Sequence, residues 1–162
     1  MRTLKCIVSS ALSAIFLCSV SFAASPDRIN GTLTGGAMVP LAGNIHAKAQ
    51  AQYDQGPVDP SFRLDYVTML FQPSAAQRED LEKLLTDQQD PSSPNYHHWL
   101  TAKEFGNRFG LSQNDIGKIS AWLKSQGFKI VSVANGGQFI VFGGTAAQIE
   151  NTFQTQIHRY NV

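Results

Sequence analysis

Cysteine is scarce in this 162-residue chain: Cys6 and Cys18 both lie in the first 23 residues. Everything after residue 23 is free of cysteine, which excludes a disulfide framework or a thiolate metal site there. Charge of one sign is also lacking, with 13 Lys and Arg against 12 Asp and Glu. That balance argues against electrostatic capture of nucleic acid or an anionic membrane. Nucleophile and phosphate-binding motifs are missing too. No serine sits in G-x-S-x-G, and neither Gly136-Gly137 nor Gly143-Gly144 belongs to G-x-x-x-x-G-K. Glu79, Asp80 and Glu82, with Arg78 and Lys83, read as a solvated helix face rather than an acid/base pair. No catalytic residue, metal site or cofactor is expected.

The amino terminus carries an export signal. Arg2 and Lys5 precede an apolar run from Ile7 to Val20, and Ser21-Phe22-Ala23 places small residues three before and one before a cut. Residues 1–23 therefore read as a secretory signal peptide. The run is shorter than the roughly 20 residues of a membrane span, which disfavours an anchor. Bulky Leu17 before Cys18 disfavours a lipid-modified cysteine. The exported chain is expected to be extracellular or periplasmic, with no membrane association after cleavage. A secreted domain without disulfides must hold itself together by packing, on itself or on a partner.

Residues 24–61 are rich in Gly, Ala, Asn and Pro and hold no sustained period, so they read as an irregular arm with at most one short strand. Asn30-Gly31-Thr32 in this arm is a glycosylation sequon. From residue 62 to 162 the pattern is that of a domain. Phe62 to Gln72 reads as a strand. Ser74 with Gln77, Thr101 with Glu104, and Thr145 with Gln148 have capping-box spacing, and Ser112 starts a further helix that stops at Gly127. Asn135-Gly136-Gly137 separates two apolar runs, as in a hairpin, and Gln156 to Val162 reads as a last strand. Strand, helices, strand, strand, helix, strand is the order of a ferredoxin-like split βαβ sandwich, an α+β fold with helices on one face of an antiparallel sheet. Right-handed crossovers place the first and third strands in the centre.

The strands are apolar on both faces, although only one face has helices to cover it. Leu64, Tyr66 and Leu70 alternate with Val67, Met69 and Phe71, and Phe139 and Val141 alternate with Ile140 and Phe142. An uncovered apolar face implies a protein partner or self-association. The expected partner-facing set is Val67, Met69, Phe71, Phe139 and Val141. The competing expectation is that the arm folds over this face.

At Gln88 to Thr101 the chain resembles the signature loop of sedolisin/kumamolisin propeptides, S-P-x-Y-H-x-W-L-T, through Ser93, Pro94, Tyr96, His97, Trp99, Leu100 and Thr101. Glu104 to Gly110, Ala121-Trp122-Leu123, Gln126-Gly127-Phe128, Phe142 to Gln148, Phe153 and Ile157 to Tyr160 continue the resemblance in order. It implies a ferredoxin-like prodomain preceding a subtilisin-like catalytic domain, which it helps to fold and blocks until removed in acid. The implied partner is that catalytic domain, in cis or in trans. The family's catalytic serine stands in a G-T-S motif, and no Gly-Thr pair here is followed by Ser.

His97 and His98 are adjacent and diverge on most backbones, a poor metal pair. Tyr96, His97 and Trp99 are expected to pack the loop against the helices. The sharper reading is a pH switch at His97, His98 and His158, since histidines charge between neutral and mildly acid pH. A stand-alone inhibitor acting in trans shares the fold and partner of a propeptide. Base stacking on sheet aromatics would need the basic balance that is missing, and a small hydrolase would need an anion-binding loop.

Overall fold

A computed structural model of the protein describes residues 25–34 and 39–161. The expected leader at 1–23, Gly35-Gly36 of the arm, and Val162 lie outside the described residues. A single 3-10 turn over Ala51–Tyr53 leads into strand β1 (Asp54–Pro57) and then β2 (Arg63–Leu70). Helices α1 (Ala75–Asp87), α2 (Ala102–Phe109) and α3 (Gln113–Ser125) follow. The chain continues through β3 (Lys129–Val133), β4 (Phe139–Thr145), α4 (Ala146–Phe153) and β5 (His158–Tyr160).

Each helix starts where its side chains can satisfy the free N–H groups of a first turn. The Ser74 hydroxyl accepts from the Gln77 N–H at 3.1 Å while Gln77 Oε1 accepts from the Ser74 N–H at 2.9 Å. Thr101 with Glu104 and Thr145 with Gln148 close the same reciprocal box. Ser112 accepts from the Asp115 N–H at 3.0 Å and opens α3. Gly127, at φ +86, ends α3 in a left-handed conformation that disfavours any Cβ.

The main sheet is antiparallel in the order β2-β4-β3, with helices packed on one side: the expected two-layer ferredoxin-like class. One detail differs. The last strand does not complete this sheet beside β2. It pairs instead with β1 of the arm, Asp54 opposite Tyr160 and Pro57 opposite His158. The Val58 N–H donates to the Ile157 carbonyl at 3.0 Å and the Asn161 N–H to the Tyr53 carbonyl at 2.9 Å, so the ribbon is closed at both ends. Of the two strands expected in the centre, only β4 is central; β2 is an edge, because β1 has taken the partner that would have flanked it. The strand pairing therefore reaches N-terminal of residue 62.

Two bulges decide the faces of the sheet. Leu64 lies opposite Gly144 and Val67 opposite Phe142, so β2 spends three steps where β4 spends two. Ile130 lies opposite Phe142 and Ser132 opposite Val141, so β3 also carries an extra residue, Val131. Leu64, Val67, Met69 and Phe71 consequently all turn to the helices. They pack on a core of Leu111, Ile116, Ile119, Leu123, Phe128, Ile140, Phe142 and Ile149. The expected outward placement of Val67, Met69 and Phe71 is thus reversed: they share the inner face with Ile140 and Phe142. Phe139 and Val141 do lie on the outer face, opposite Leu70 and Thr68.

The hairpin between β3 and β4 is seated against α2. A Cβ on Gly106 would stand 2.5 Å from the Gly136 Cα, so the close approach of these two backbones requires glycine.

Candidate interaction surface

The outer face of the sheet is built from alternate positions of a rigid, core-backed framework. Leu70 is 72% exposed and Tyr66, in the β2 bulge, is 79% exposed. Phe139 and Val141 are half-buried between them, and Val131 projects from the β3 bulge. Among the described residues, the arm leaves Tyr66 and Leu70 of this face exposed. Residues 25–33 strap across the helix side, where Ile29 and Leu33 pack on the core.

The 88–101 loop forms the second surface. Buried Gln88 holds it from below: its carbonyl accepts from the His97 N–H at 3.1 Å and its side-chain amide donates to the His98 carbonyl at 2.5 Å. Asn95 donates to Asp87 at 3.2 Å. His97 has φ +54, rare for a residue with a side chain. In that conformation its ring stacks on Tyr96 at 3.8 Å between centroids and lies 6.1 Å from Trp99 at an interplanar angle of 16°. The three rings stack on one another at the surface, with Trp99 64% exposed, instead of packing the loop onto the helices. Pro94 and His98 are exposed, Leu100 is half-buried, and Thr101 caps α2.

The third assembly lies across the β1–β5 ribbon. His158 Nδ1 stands 2.8 Å from Asp54 Oδ2. The Asp54 carboxyl is held below the usual carboxylate range, first by the Gly56 N–H that donates to it at 2.7 Å and then by His158. His158 belongs to the β1–β5 ribbon, whereas His97 and His98 belong to the α1–α2 loop. No group of three or more His, Cys, Asp and Glu among the described residues is placed to hold a metal ion.

Sequence reasoning missed three acidic residues. Asp54 lies 104 positions from its histidine, beyond any local pattern. Asp80, read as solvated, makes a two-pronged pair with Arg108, Oδ1 to Nη2 at 2.5 Å and Oδ2 to Nε at 2.6 Å, which joins α1 to α2. This pairing holds the Asp80 carboxyl below its usual range. Asp115 is fully buried and accepts the Arg28 N–H at 2.6 Å and the Ile29 N–H at 3.1 Å. Ser112 marked the helix start, but no local signal shows that Asp115, whose N–H it caps, also receives the arm.

The architecture defines a class: a two-layer α+β domain of ferredoxin-like type whose apolar sheet face is open. Residues 50–162 match the family described as pro-kumamolisin, activation domain, and the chain belongs to that family. It is 35% identical over 86 residues to aorsin of Aspergillus oryzae, covering 51% of this chain and 13% of that protein. Identity to tripeptidyl-peptidase sed1 of Aspergillus fumigatus is 29% over 103 residues, 60% of this chain and 16% of the relative. For xanthomonalisin of a Xanthomonas species it is 32% over 81 residues, 50% of this chain and 10% of the relative. The matches thus span only a small part of each relative's length. The resemblance carried by the 88–101 loop and the motifs after it is borne out. Among the described residues no helix is long and apolar enough to cross a membrane.

Proposed function

We propose that this chain is the propeptide of a secreted, serine-type endopeptidase of sedolisin type. It assists folding of the catalytic domain, occupies it as an inhibitor, and is removed on acid activation; the chain itself carries no catalysis. Membership of the activation-domain family supports this reading. The observation that carries it is the outer sheet face, where Tyr66 and Leu70 are exposed beside Phe139 and Val141 on a framework that cannot turn them inward. Burying about 800 Å² of this domain against the catalytic domain would make an ordinary specific interface.

The Asp54–His158 contact constrains how acid acts. His158 Nδ1 and the Asp54 carboxylate lie within ion-pair distance, which sets a carboxylate directly against one of the candidate pH-switch histidines. Asp54, held below the usual carboxylate range by the Gly56 N–H and by His158, keeps its charge through the ordinary carboxylate range, so these contacts are lost only at more acid pH.

The test adds the purified chain to a sedolisin-type peptidase and measures the inhibition constant. Tyr66→Asp combined with Leu70→Asp should weaken inhibition by about 100-fold, the scale of losing central interface anchors. Circular dichroism and thermal midpoint should stay close to those of the parent. Equal inhibition by variant and parent would remove the outer face from the interface.

A further inference from the structure

Between the strap and the ribbon, residues 39–48 make no hydrogen bond to the folded body among the described residues. Every residue from 39 to 48 is exposed. Val39, Leu41 and Ile45 are 78%, 79% and 80% exposed, the most solvent-facing large aliphatics among the described residues. Among the described residues, no hydrogen bond ties positions 39–45 to the folded body; bonding within the stretch is confined to local contacts at His46, Ala47 and Lys48. Gly43, at φ +78, adds a turn with open space around it.

Both flanks are anchored. On the C-terminal side the β1–β5 ribbon begins at Asp54. On the N-terminal side the strap is held at several points along 25–33. The Ser25 N–H and hydroxyl both donate to the Asn107 carbonyl at 2.8 Å. Asp27 accepts from Ser112 and from Asn114 Nδ2, each at 2.5 Å. Asp115 takes the next two backbone N–H groups, and Lys118 Nζ donates to the Ile29 carbonyl at 2.6 Å.

We infer that residues 39–48 are a proteolytic processing site for an endopeptidase that accepts bulky aliphatic side chains, and that the strap stays bound after the cut. Peptidases need several residues of accessible, unpaired backbone, and elsewhere in a fold this requires local unfolding. Here it requires none. The other long exposed loop, 88–101, is protected by the Gln88 and Asn95 hydrogen bonds and by Pro91 and Pro94. Hydrolysis needs only water: the C–N bond breaks, the carbonyl carbon takes the hydroxyl, and the nitrogen takes the proton. The cut falls before β1, so residues 50–162, the family-matched region, remain one piece with the outer face intact. Cleavage therefore gives a two-piece domain rather than removal of the domain.

The full chain is secreted, purified and treated with sparing amounts of thermolysin, which cuts before bulky apolar residues. Fragments are followed by intact mass. The first cut should fall before Leu41 or Ile45, at least about tenfold faster than any cut between residues 50 and 161. The N-terminal peptide should co-elute with the remainder on gel filtration. Leu41→Asp with Ile45→Asp, both at exposed positions, should slow the first cut by at least about tenfold with the thermal midpoint unchanged. A faster cut within 50–161, an unaltered rate in that variant, or separation of the peptide on the column would overturn the proposal.

Discussion

Asp54 shows how a single carboxylate can set the pH range of a small ribbon. Its pKa in the folded chain is depressed, chiefly by the Gly56 N–H and next by His158. A depressed carboxylate contributes stability above its unfolded pKa, near 3.9, and that contribution is lost only as pH falls through the lower folded value. Hydrogen exchange of the Asn161 N–H, which closes the ribbon, should therefore stay slow through the ordinary carboxylate range and accelerate at more acid pH. Asp54→Asn should accelerate it already near neutrality and abolish the acid step. An unchanged profile in this variant would show that the ribbon is held without the Asp54–His158 pair.

At the scale of the element, β2 carries one residue more than its partner needs. Leu64 faces inward, Asp65 and Tyr66 absorb the bulge, and Val67 faces inward again. Removing Tyr66 restores plain alternation and keeps Val67, Met69 and Phe71 on the core. Removing Thr68 leaves the bulge in place and turns Met69 and Phe71 away from the core, because a one-residue slip flips every later side chain. The Tyr66 deletion should fold, with a cooperative thermal transition. The Thr68 deletion should lose that transition and expose apolar surface to a hydrophobic dye. Similar behaviour of the two deletions would contradict the assignment of the bulge.

At the scale of the molecule, one sheet face is sealed by helices α3 and α4 and the strap, while the other presents Tyr66, Leu70, Phe139 and Val141. An open apolar face of this kind drives association when its partner is missing. The isolated chain should self-associate with rising concentration in analytical ultracentrifugation. Tyr66→Asp with Leu70→Asp should hold it monomeric over the same range. Persistent association of that variant would place the sticky surface elsewhere, with the exposed Tyr96–His97–Trp99 stack the next surface to alter.

The sequence alone determined the element order, the helix starts and the family. Those depend on local chemistry: a hydroxyl three residues before Gln or Glu, just ahead of an apolar helix face, marks a helix start, and the 88–101 loop is recognisable as a string of side chains. It also determined that the strands are apolar on both sides. Which side met the helices was decided only by tertiary structure. A bulge costs no recognisable residue type, yet it inverts the parity of everything beyond it, and so Val67, Met69 and Phe71 exchanged faces. The same holds for β5, whose three residues could have paired with β2 as readily by pattern as with β1. Long-range contacts chose, among them Asp54 with His158 and Asp115 with the strap, and contacts between residues so far apart in the chain leave no periodic trace in it.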